Sequence, residues 1–419
     1  MQPNPYAPGG RPEYLAGRGR QREIIRERLA RLSTLGRSGG PLLAFHAPRG
    51  LGKTSLLRQA QRDALAEGFL TVWATGRDDA PMAPGLAQSL TTAIEERSFG
   101  ERAKGLLHSL DKVQVELGVP GAKVGAEIST TRESAAIETV LEDAGKFARN
   151  HDAQGLAVFI DEFQDVRLSD RKSLLIALQH FDGDPTGCPV AVVAAGLPSL
   201  PEAVTEAATF GERTHFVELG PLTEVAVAEA LRLPAEQLGV SWSDDAVVAA
   251  IDLAAGYPHK VQLVGQSTWE IARPEVGHAI SAGQVAAAAE ETDRRMADLF
   301  RTRLARATPE QRRIIDAMAA LGGSGADRAA LAAALGIDSS ALSRPRQELI
   351  DKGLVAASGR GRLEFTIPGF DHYVRSQLEA PALPRWASTG ESAHPAPPPP
   401  TKPSGTDRTG APPDRSSGR

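Results

Sequence analysis

Short apolar runs alternate with amphipathic segments over the first half of the chain. The apolar runs predict five strands, at 42–45, 70–73, 156–160, 190–194 and 216–219. Between them, apolar residues recur at three- and four-residue spacing, the period of a helix with one buried face. The helices predicted in this way cover 22–35, 53–67, 84–98, 132–149 and 170–181. Apolar strands that alternate with helices are typical of an α/β fold whose parallel sheet is covered on both faces.

One segment departs from this alternation. Apolar and polar residues alternate over 113–117 and again over 124–128, on either side of turn residues at Pro120 and Gly121. This pattern predicts a β-hairpin over 113–128, inserted between two helices.

The second half of the chain has a helical pattern, with no further strand predicted between 222 and 354. The predicted helices cover 223–232, 244–255, 258–272 and 282–306. Beyond them, residues 309–378 contain three helical stretches and then two short strands, at 354–356 and 363–367, around a Gly-rich turn. Three helices followed by a two-stranded ribbon predict a winged helix.

Length and composition divide the chain further. At about 150 residues per domain, 419 residues correspond to about three domains. Residues 380–419 hold ten of the 30 prolines, and a segment of this composition is expected to be disordered. The predicted parts are an N-terminal arm with the first helix (1–36), a P-loop core (37–220), a helical lid (221–306), a winged helix (307–379) and the Pro-rich tail (380–419).

Composition also excludes several classes of protein. Apolar residues make up 41% of the chain, yet no run approaches the roughly 18 apolar residues of a membrane-spanning helix. The single cysteine, Cys188, cannot form an internal disulfide, and no signal peptide opens the chain, so we expect a cytoplasmic protein. A net charge of −5 argues against a nucleic-acid-binding surface over the whole protein, though not against a local one.

The segment that joins the first predicted strand to the next helix matches a phosphate-binding loop, or P-loop. Gly50 and Gly52 let backbone N–H groups point at phosphate oxygens, and the helix start adds its positive dipole end. Lys53 would place a positive charge on the β- and γ-phosphates of ATP, and the Thr54 hydroxyl would bind Mg²⁺. Ala47 stands where the strict motif has its first glycine. The predicted cofactor-binding residues of this loop are Ala47, Pro48, Arg49, Gly50, Leu51, Gly52, Lys53, Thr54 and Ser55.

A second motif follows the third predicted strand. The apolar run 156–160 ends in Asp161 and Glu162, which is the Walker B pattern when it comes after a P-loop and an intervening strand. Asp161 is predicted to hold Mg²⁺, directly or through water, and Glu162 to act as the general base on the attacking water. Both motifs fall at the carboxyl edge of the predicted sheet, where folds of this kind bind ligands.

Three further residues have two interpretations each. Arg213 lies just before the last predicted strand, where it would either reach the γ-phosphate of a neighbouring subunit as a catalytic residue or form a surface salt bridge. Tyr257 and Pro258 would either pack near the adenine as cofactor-binding residues or cap a helix.

In this order, the motifs resemble the AAA+/STAND-type P-loop ATPases. They resemble most closely the actinobacterial ATP-binding proteins with an origin-recognition-like AAA ATPase domain and a C-terminal winged helix. The resemblance covers about residues 3–375. Beyond the two motifs above, it rests on the segments 4–9, 15–18, 195–198, 212–213, 256–258 and 349–354.

The resemblance implies binding of ATP with Mg²⁺, hydrolysis of ATP, a helical lid after the core and a C-terminal winged helix. It also implies that Gly17 and Arg18 lie near the adenine. Two departures from the family favour a nucleotide switch over a fast motor. No polar side chain follows strand 190–194, where many relatives have a sensor, and no arginine follows the Gly-Tyr-Pro element 256–258, where Lys260 is the nearest cation.

The predicted winged helix has a candidate DNA-binding helix over about 338–349 and a basic turn in its ribbon. The candidate contacts to DNA are Arg344, Arg346, Lys352, Arg360 and Arg362. Pro345 is expected to kink this helix or to delay its start. Residues 308–378 hold nine basic and eight acidic residues, a weak charge for DNA binding. A packing module that holds the ATPase closed, or that binds a protein partner, is therefore an equal alternative.

The leading hypothesis is a cytoplasmic, Mg²⁺-dependent ATPase or ATP-driven switch, with Lys53, Glu162 and Arg213 as its catalytic residues. ATP would close the lid on the core, and the change would pass to the winged helix. One alternative is a DNA-binding regulator whose shape is tuned by nucleotide. The other is a signalling scaffold that forms homo-oligomers when ATP binds.

Overall fold

Five parallel strands form the central sheet of the computed structural model, in the order β2–β3–β4–β1–β5. The strands are β1 Leu43–His46, β2 Leu70–Thr75, β3 Leu156–Asp161, β4 Val190–Gly196 and β5 His215–Glu218. Each coincides with a predicted apolar run to within two residues at either end. The predicted α/β fold with a parallel sheet is therefore confirmed.

The structure describes residues 2–97, 99–118, 126–184, 187–323, 325–359 and 361–379. Arg360 and the predicted tail at 380–419 lie outside these residues. Within the described part of the chain, no helix combines the length and the apolar content needed to cross a membrane.

In the described part of the chain, seven α-helices accompany the strands of the sheet. They are α1 Gly19–Leu35, α2 Lys53–Ala66, α3 Met82–Glu96, α4 Lys104–Gly118, α5 Ala126–Asn150, α6 Leu168–Gly183 and α7 Leu200–Ala207. Successive residues of each strand face opposite sides of the sheet: Phe159 joins the apolar cluster that includes α1 and α2, whereas Val158 joins the cluster that includes α3 to α7. Because both faces are covered, the strands are apolar throughout.

A mostly helical region follows the sheet. It consists of α8 Glu224–Glu236, β6 Ser241–Trp242, α9 Asp244–Ala254, α10 Pro258–Ala272, β7 Ala279–Ile280 and α11 Ala282–Leu304. We call it the four-helix region. Its strands β6 and β7 form a short parallel pair.

The last described part, 309–378, is called the C-terminal segment here. Its elements are α12 Pro309–Ala320, β8 Gly325–Asp327, α13 Arg328–Leu335, α14 Ser343–Asp351, β9 Val355–Ala357, β10 Arg362–Phe365 and α15 Phe370–Glu379. The three strands form an antiparallel sheet in the order β8–β10–β9. The sheet, the four-helix region and the C-terminal segment belong to one compact unit that ends at Leu378. The predicted boundaries at 220 and 306 therefore remain predictions.

The predicted hairpin over 113–128 is wrong. Helix α4 continues to Gly118 and α5 begins at Ala126, while residues 119–125 lie outside the described part. The α4 side chains Leu106 and Leu110 are buried and Val113 packs on the same cluster. This three- to four-residue spacing continues the helix past the point where alternation suggests a strand.

The prediction of no strand between 222 and 354 is also wrong, because β6, β7 and β8 lie there. Strands of two or three residues are too short to leave a periodic pattern. The predicted two-stranded ribbon is consequently three-stranded. The predicted delay at Pro345 is confirmed: a 3₁₀ turn spans Ser339–Leu342, and α14 begins only at Ser343, with Pro345 in its first turn. There its missing N–H costs no helical hydrogen bond.

Tyr6 anchors the N-terminal arm to the four-helix region through packing and hydrogen bonds. The Tyr6 ring is 2% exposed and meets Trp242 and Trp269 edge to face. Its hydroxyl donates to the Leu231 carbonyl at 2.6 Å and accepts from Trp242 Nε1 at 2.9 Å. Gly265 makes room for the ring, because a Cβ atom there would lie 2.6 Å from it.

Removal of the Tyr6 hydroxyl should destabilise the protein. In Tyr6→Phe, the Leu231 carbonyl and the Trp242 N–H lose their buried partner, at a cost of about 1–3 kcal/mol in the free energy of unfolding. Urea unfolding measures this change. Tyr14→Phe is the matched control, because Tyr14 is 38% exposed. Equal stability of the two variants would show that the arm contact is not anchored by hydrogen bonds.

Candidate functional site

The predicted P-loop lies between β1 and α2, and two glycines shape it. Gly50 has φ 86° and Gly52 has φ 85°, in the left-handed region that only glycine enters easily. Gly52 caps the N-terminus of α2. This geometry puts the positive end of the helix dipole at the loop, as anion binding requires.

Lys53 is the first residue of α2 and is only 6% exposed. Its Nζ donates to the carbonyl oxygens of Ala47 and Pro48, both at 2.9 Å. Burial lowers the pKa of Lys53 to about 8, against the opposing effect of the carboxylates of Glu162 and Asp161. These two hydrogen bonds hold the Lys53 ammonium group against the backbone at the start of the loop.

Thr54 and Asp161 lie together, as predicted for a magnesium site. The Thr54 hydroxyl donates to Asp161 Oδ2 at 2.6 Å. Asp161 ends β3 and is 6% exposed, and burial raises the pKa of its carboxyl group. No group of three or more His, Cys, Asp or Glu side chains that could hold a metal exists among the described residues. A hydroxyl and a carboxylate oxygen are of the ligand type that Mg²⁺ takes in proteins.

Glu162 follows Asp161 in a left-handed backbone conformation, with φ 49° and ψ 47°. Arg49 Nη1 approaches its Oε1 at 3.1 Å, and Gln164 Nε2 donates to its Oε2 at 2.9 Å. Gln164 Oε1 in turn accepts from the Leu197 backbone N–H at 2.9 Å. Gln164 carries no motif in the sequence, yet it places a polar group at the end of β4, where the sequence itself has none.

A cleft of about 330 Å³ opens beside the P-loop. Four cationic side chains and one carboxylate line it: Arg18, Arg49, Lys53, Arg303 and Glu162. The other predicted residues in its lining are Gly50, Leu51, Gly52, Thr54, Ser55 and Pro258. The remaining walls come from the arm and the four-helix region, which contribute Ala7, Pro8, Tyr14, His259 and Gln262 among others.

Two guanidinium nitrogens at this cleft are buried without a hydrogen-bond partner in the described residues. They are Arg49 Nε and Arg303 Nη1. Burial lowers the pKa of Arg303, and its charge acts on Lys53. Arg303 lies in the last turn of α11, some 250 residues after the loop, so no local signal in the sequence could have found it.

The residues predicted to lie near the adenine occupy different positions around the cleft. Arg18 donates to the carbonyls of Leu51 and Gly220 at 2.9 and 2.8 Å. Gly17 packs on the four-helix region, where a Cβ atom would lie 2.5 Å from the Ala226 Cβ. Arg18 lines the cleft, and Gly17 brings the arm close enough for it to do so.

Tyr257 contacts the P-loop but does not line the cleft. Its side chain is 1% exposed, and its hydroxyl donates to the Arg49 carbonyl at 2.9 Å. A Cβ atom at Gly50 would lie 1.9 Å from this hydroxyl, so the close approach requires glycine. Pro258 begins α10 and also lines the cleft.

Arg213 is not brought to the P-loop of its own chain. It precedes β5, whose first residue His215 pairs with Leu43, whereas the loop follows the other end of β1. Arg213 lines a separate cleft of about 270 Å³ with Leu175 and Leu178. A role in a neighbouring subunit therefore stays a prediction.

Two of the arginines predicted to contact DNA pair with carboxylates of their own segment. Arg344 Nε donates to Glu348 at 2.9 Å, and Arg362 Nε donates to Glu364 at 3.2 Å. Arg346 is half-buried on α14. Arg360 lies outside the described residues.

Comparison with solved structures supports the fold. The Walker-type ATPase PABY2304 of Pyrococcus abyssi matches with a TM-score of 0.57 and 16% identity, over 87% of this chain and 97% of its own. The ORC2 protein of Aeropyrum pernix in its ADPNP–ADP complexes matches with a TM-score of 0.53 and 15% identity, over 89% and 97%. The chain thus shares the α/β fold of these two proteins.

One family model matches part of the chain. A family model described as a domain of unknown function (DUF8462) matches residues 297–374, from the end of α11 through the C-terminal segment. No curated protein matches the chain.

Lys53 links the stability of the nucleotide-free protein to pH. Its pKa is about 8 when folded, against an ordinary value of 10.5 for a lysine side chain in water. Between these values the unfolded chain binds a proton that the folded chain has released, so the free energy of unfolding rises with pH. Relative to Lys53→Met, the unsubstituted protein should gain about 2–3 kcal/mol between pH 7.5 and pH 10.5. Urea unfolding across this range tests it, and parallel profiles would mean an ordinary pKa for Lys53.

Proposed function

We propose that this protein is a Mg²⁺-dependent ATP-binding protein that hydrolyses ATP slowly and acts as a conformational switch. The observation that supports this most directly is the charge of the cleft. Four cations and one carboxylate line it, and the Arg49 and Arg303 guanidinium groups each keep a buried nitrogen without a partner. Lys53 and Arg18 are buried and Arg49 and Arg303 are half-buried, and of these four only Arg49 pairs with a carboxylate of the described residues, that of Glu162. Cations in such positions are costly unless an anion pairs with them. A nucleoside triphosphate supplies several negative charges at this position.

The loop geometry fits the phosphates of such a ligand. The N–H groups at the start of α2 and the Lys53 ammonium group would bind phosphate oxygens, and Thr54 and Asp161 would hold Mg²⁺. The bound metal ion would neutralise charge on the phosphates. The nucleotide complexes of the Aeropyrum pernix protein, which shares this fold, support the choice of ligand.

Glu162 is the proposed general base, which takes a proton as water attacks the γ-phosphate. Its carboxylate oxygens are held by Arg49 and Gln164. A base so engaged is poorly placed to accept a proton, which supports a slow reaction and the function of a switch.

We also propose that the C-terminal segment is a winged helix that packs on the core. Its order of helix, strand, helix, helix, strand and strand supports this identification, as does the resemblance to actinobacterial proteins with an origin-recognition-like domain. The segment shares one apolar cluster with the sheet. This packing, together with the paired arginines Arg344 and Arg362, favours a packing module over a DNA-binding surface.

The single, buried Cys188 fits the cytoplasmic location that we propose.

Two substitutions separate ATP binding from hydrolysis. Lys53→Ala should weaken ATP binding by about 100-fold or more, because it removes the buried cation at the loop. Glu162→Gln should keep ATP affinity within about threefold and reduce hydrolysis by about 100-fold or more. Calorimetric titration and phosphate release measure the two effects. Lys172→Ala, an exposed site on α6, is the control. Normal ATP affinity in Lys53→Ala would exclude this loop as the site.

Arg303 should distinguish ATP from ADP. If its unpartnered guanidinium binds the terminal phosphate, Arg303→Ala should weaken ATP binding by about 10- to 100-fold and ADP binding by about threefold at most. Arg301→Ala is the control, because Arg301 lies two residues away, is exposed and pairs with Asp298. Equal losses for both nucleotides would place Arg303 at the inner phosphates instead.

A further inference from the structure

The side chain of Glu162 is held from two sides. Arg49 Nη1 lies 3.1 Å from one carboxylate oxygen, and Gln164 Nε2 lies 2.9 Å from the other. The Glu162 backbone is in the left-handed region, which a non-glycine residue keeps only when its surroundings hold it there. The orientation of this carboxylate therefore depends on Arg49 and Gln164.

One turn of the C-terminal segment, at Gly353, lies beside the residues that hold Glu162. Gly353 lies in the turn between α14 and β9. A Cβ atom there would lie 3.3 Å from Leu197 Cδ2 and 3.7 Å from Arg49 Cγ. Leu197 is also the residue whose backbone N–H fixes Gln164, at 2.9 Å. The turn thus lies next to the Arg49 side chain and next to Leu197, whose N–H binds Gln164.

Two hydrogen bonds fix the position of the Gly353 turn. Thr366 Oγ1 donates to the Gly353 carbonyl at 2.7 Å, and the Gly353 N–H donates to Ile350 at 2.8 Å. The backbone of Arg49 is fixed separately, because the Tyr257 hydroxyl donates to the Arg49 carbonyl. A movement of the C-terminal segment would therefore change the packing on the Arg49 side chain and leave the loop backbone in place.

We propose that Arg49 and Gln164 restrain Glu162, and that the Gly353 turn maintains this restraint while the C-terminal segment is packed on the core. Displacement of the turn frees the Glu162 carboxylate to take the proton of the water that converts ATP to ADP and phosphate. Arg49 is then a positioning residue that acts through Glu162. This inference rests on the proposed function, because Glu162 acts as a base only if ATP is hydrolysed.

Substitution of Gly353 tests the restraint from the C-terminal side. Gly353→Gln puts a Cβ atom 3.3 Å from Leu197 Cδ2, so Leu197 or the turn must shift, and the longer side chain beyond it should displace the turn. We expect kcat to rise about fivefold, with KM within twofold. Gly359→Gln is the matched control. Gly359 has φ 70° against 66° for Gly353, so the backbone strain is the same, but its Cβ atom would meet nothing within 4 Å. An equal effect of both substitutions, or no rise in kcat for Gly353→Gln, would overturn the proposal.

Substitution of Arg49 tests the restraint from the core side. Arg49→Ala should raise kcat by a similar factor at saturating ATP, although KM should rise because the cleft loses one cation. Gly353→Gln should then add less than twofold to kcat, because both changes release the same group. Arg49→Lys keeps a cation beside Glu162 and should return kcat towards that of the unsubstituted protein. A loss of kcat in Arg49→Ala of the size seen for Glu162→Gln would show that Arg49 assists the reaction, and the proposal would be wrong.

A readout without nucleotide keeps this proposal separate from the proposed function. In the full-length, nucleotide-free protein, Gly353→Gln should speed amide hydrogen exchange over 162–165 by about tenfold, and Gly359→Gln by less than twofold. Unchanged exchange in Gly353→Gln would exclude the coupling whether or not ATP is hydrolysed. Faster exchange with no ATP binding by any variant would instead contradict the proposed function alone.

Discussion

The burial of positive charge at the start of α2 is the constraint on which the other features of the cleft depend. Lys53 is 6% exposed and reaches only backbone carbonyl oxygens, and Arg303 and Arg49 each keep a buried nitrogen without a partner in the described residues. A protein that places cations together in this way accepts a free-energy cost that an anionic ligand would relieve. The tight left-handed turns at Gly50 and Gly52 follow from the same need, because they let the loop close around the lysine.

The cleft is assembled from parts of the chain that are distant in sequence. The arm contributes Arg18, the loop Arg49 and Lys53, the third strand Glu162, and the end of α11 Arg303. Since α11 leads directly into the C-terminal segment, a ligand that pairs with Arg303 would act on the helix that carries this segment. Binding in the cleft and the position of the C-terminal segment would thereby be linked through α11, as the proposed switch requires.

The sequence predicts those parts of this arrangement that depend on local pattern. The five apolar strands, the Gly50–Gly52 loop and the pair Asp161 and Glu162 follow from runs of a few residues. The hairpin prediction failed because alternation over a few residues cannot outweigh the helical burial of Leu106 and Leu110. Arg303 and Gln164 were missed for another reason: each is an ordinary polar residue of its own segment. Only the tertiary fold brings Arg303 to the cleft and the Gln164 amide to Leu197 at the end of β4.

Gln164 and Arg303 change the explanation for the slow turnover that we propose. The sequence lacks a polar residue after β4 and an arginine after Pro258, which suggests that parts of the site are absent. In the structure Gln164 reaches the end of β4 by binding the Leu197 N–H, and Arg303 enters the cleft from α11. Polar groups are thus present at the site, supplied from other positions in the chain. What holds the reaction back, on our proposal, is the pairing of Glu162 with Arg49 under the C-terminal segment, and a restraint of this kind can be released whereas a missing residue cannot be supplied.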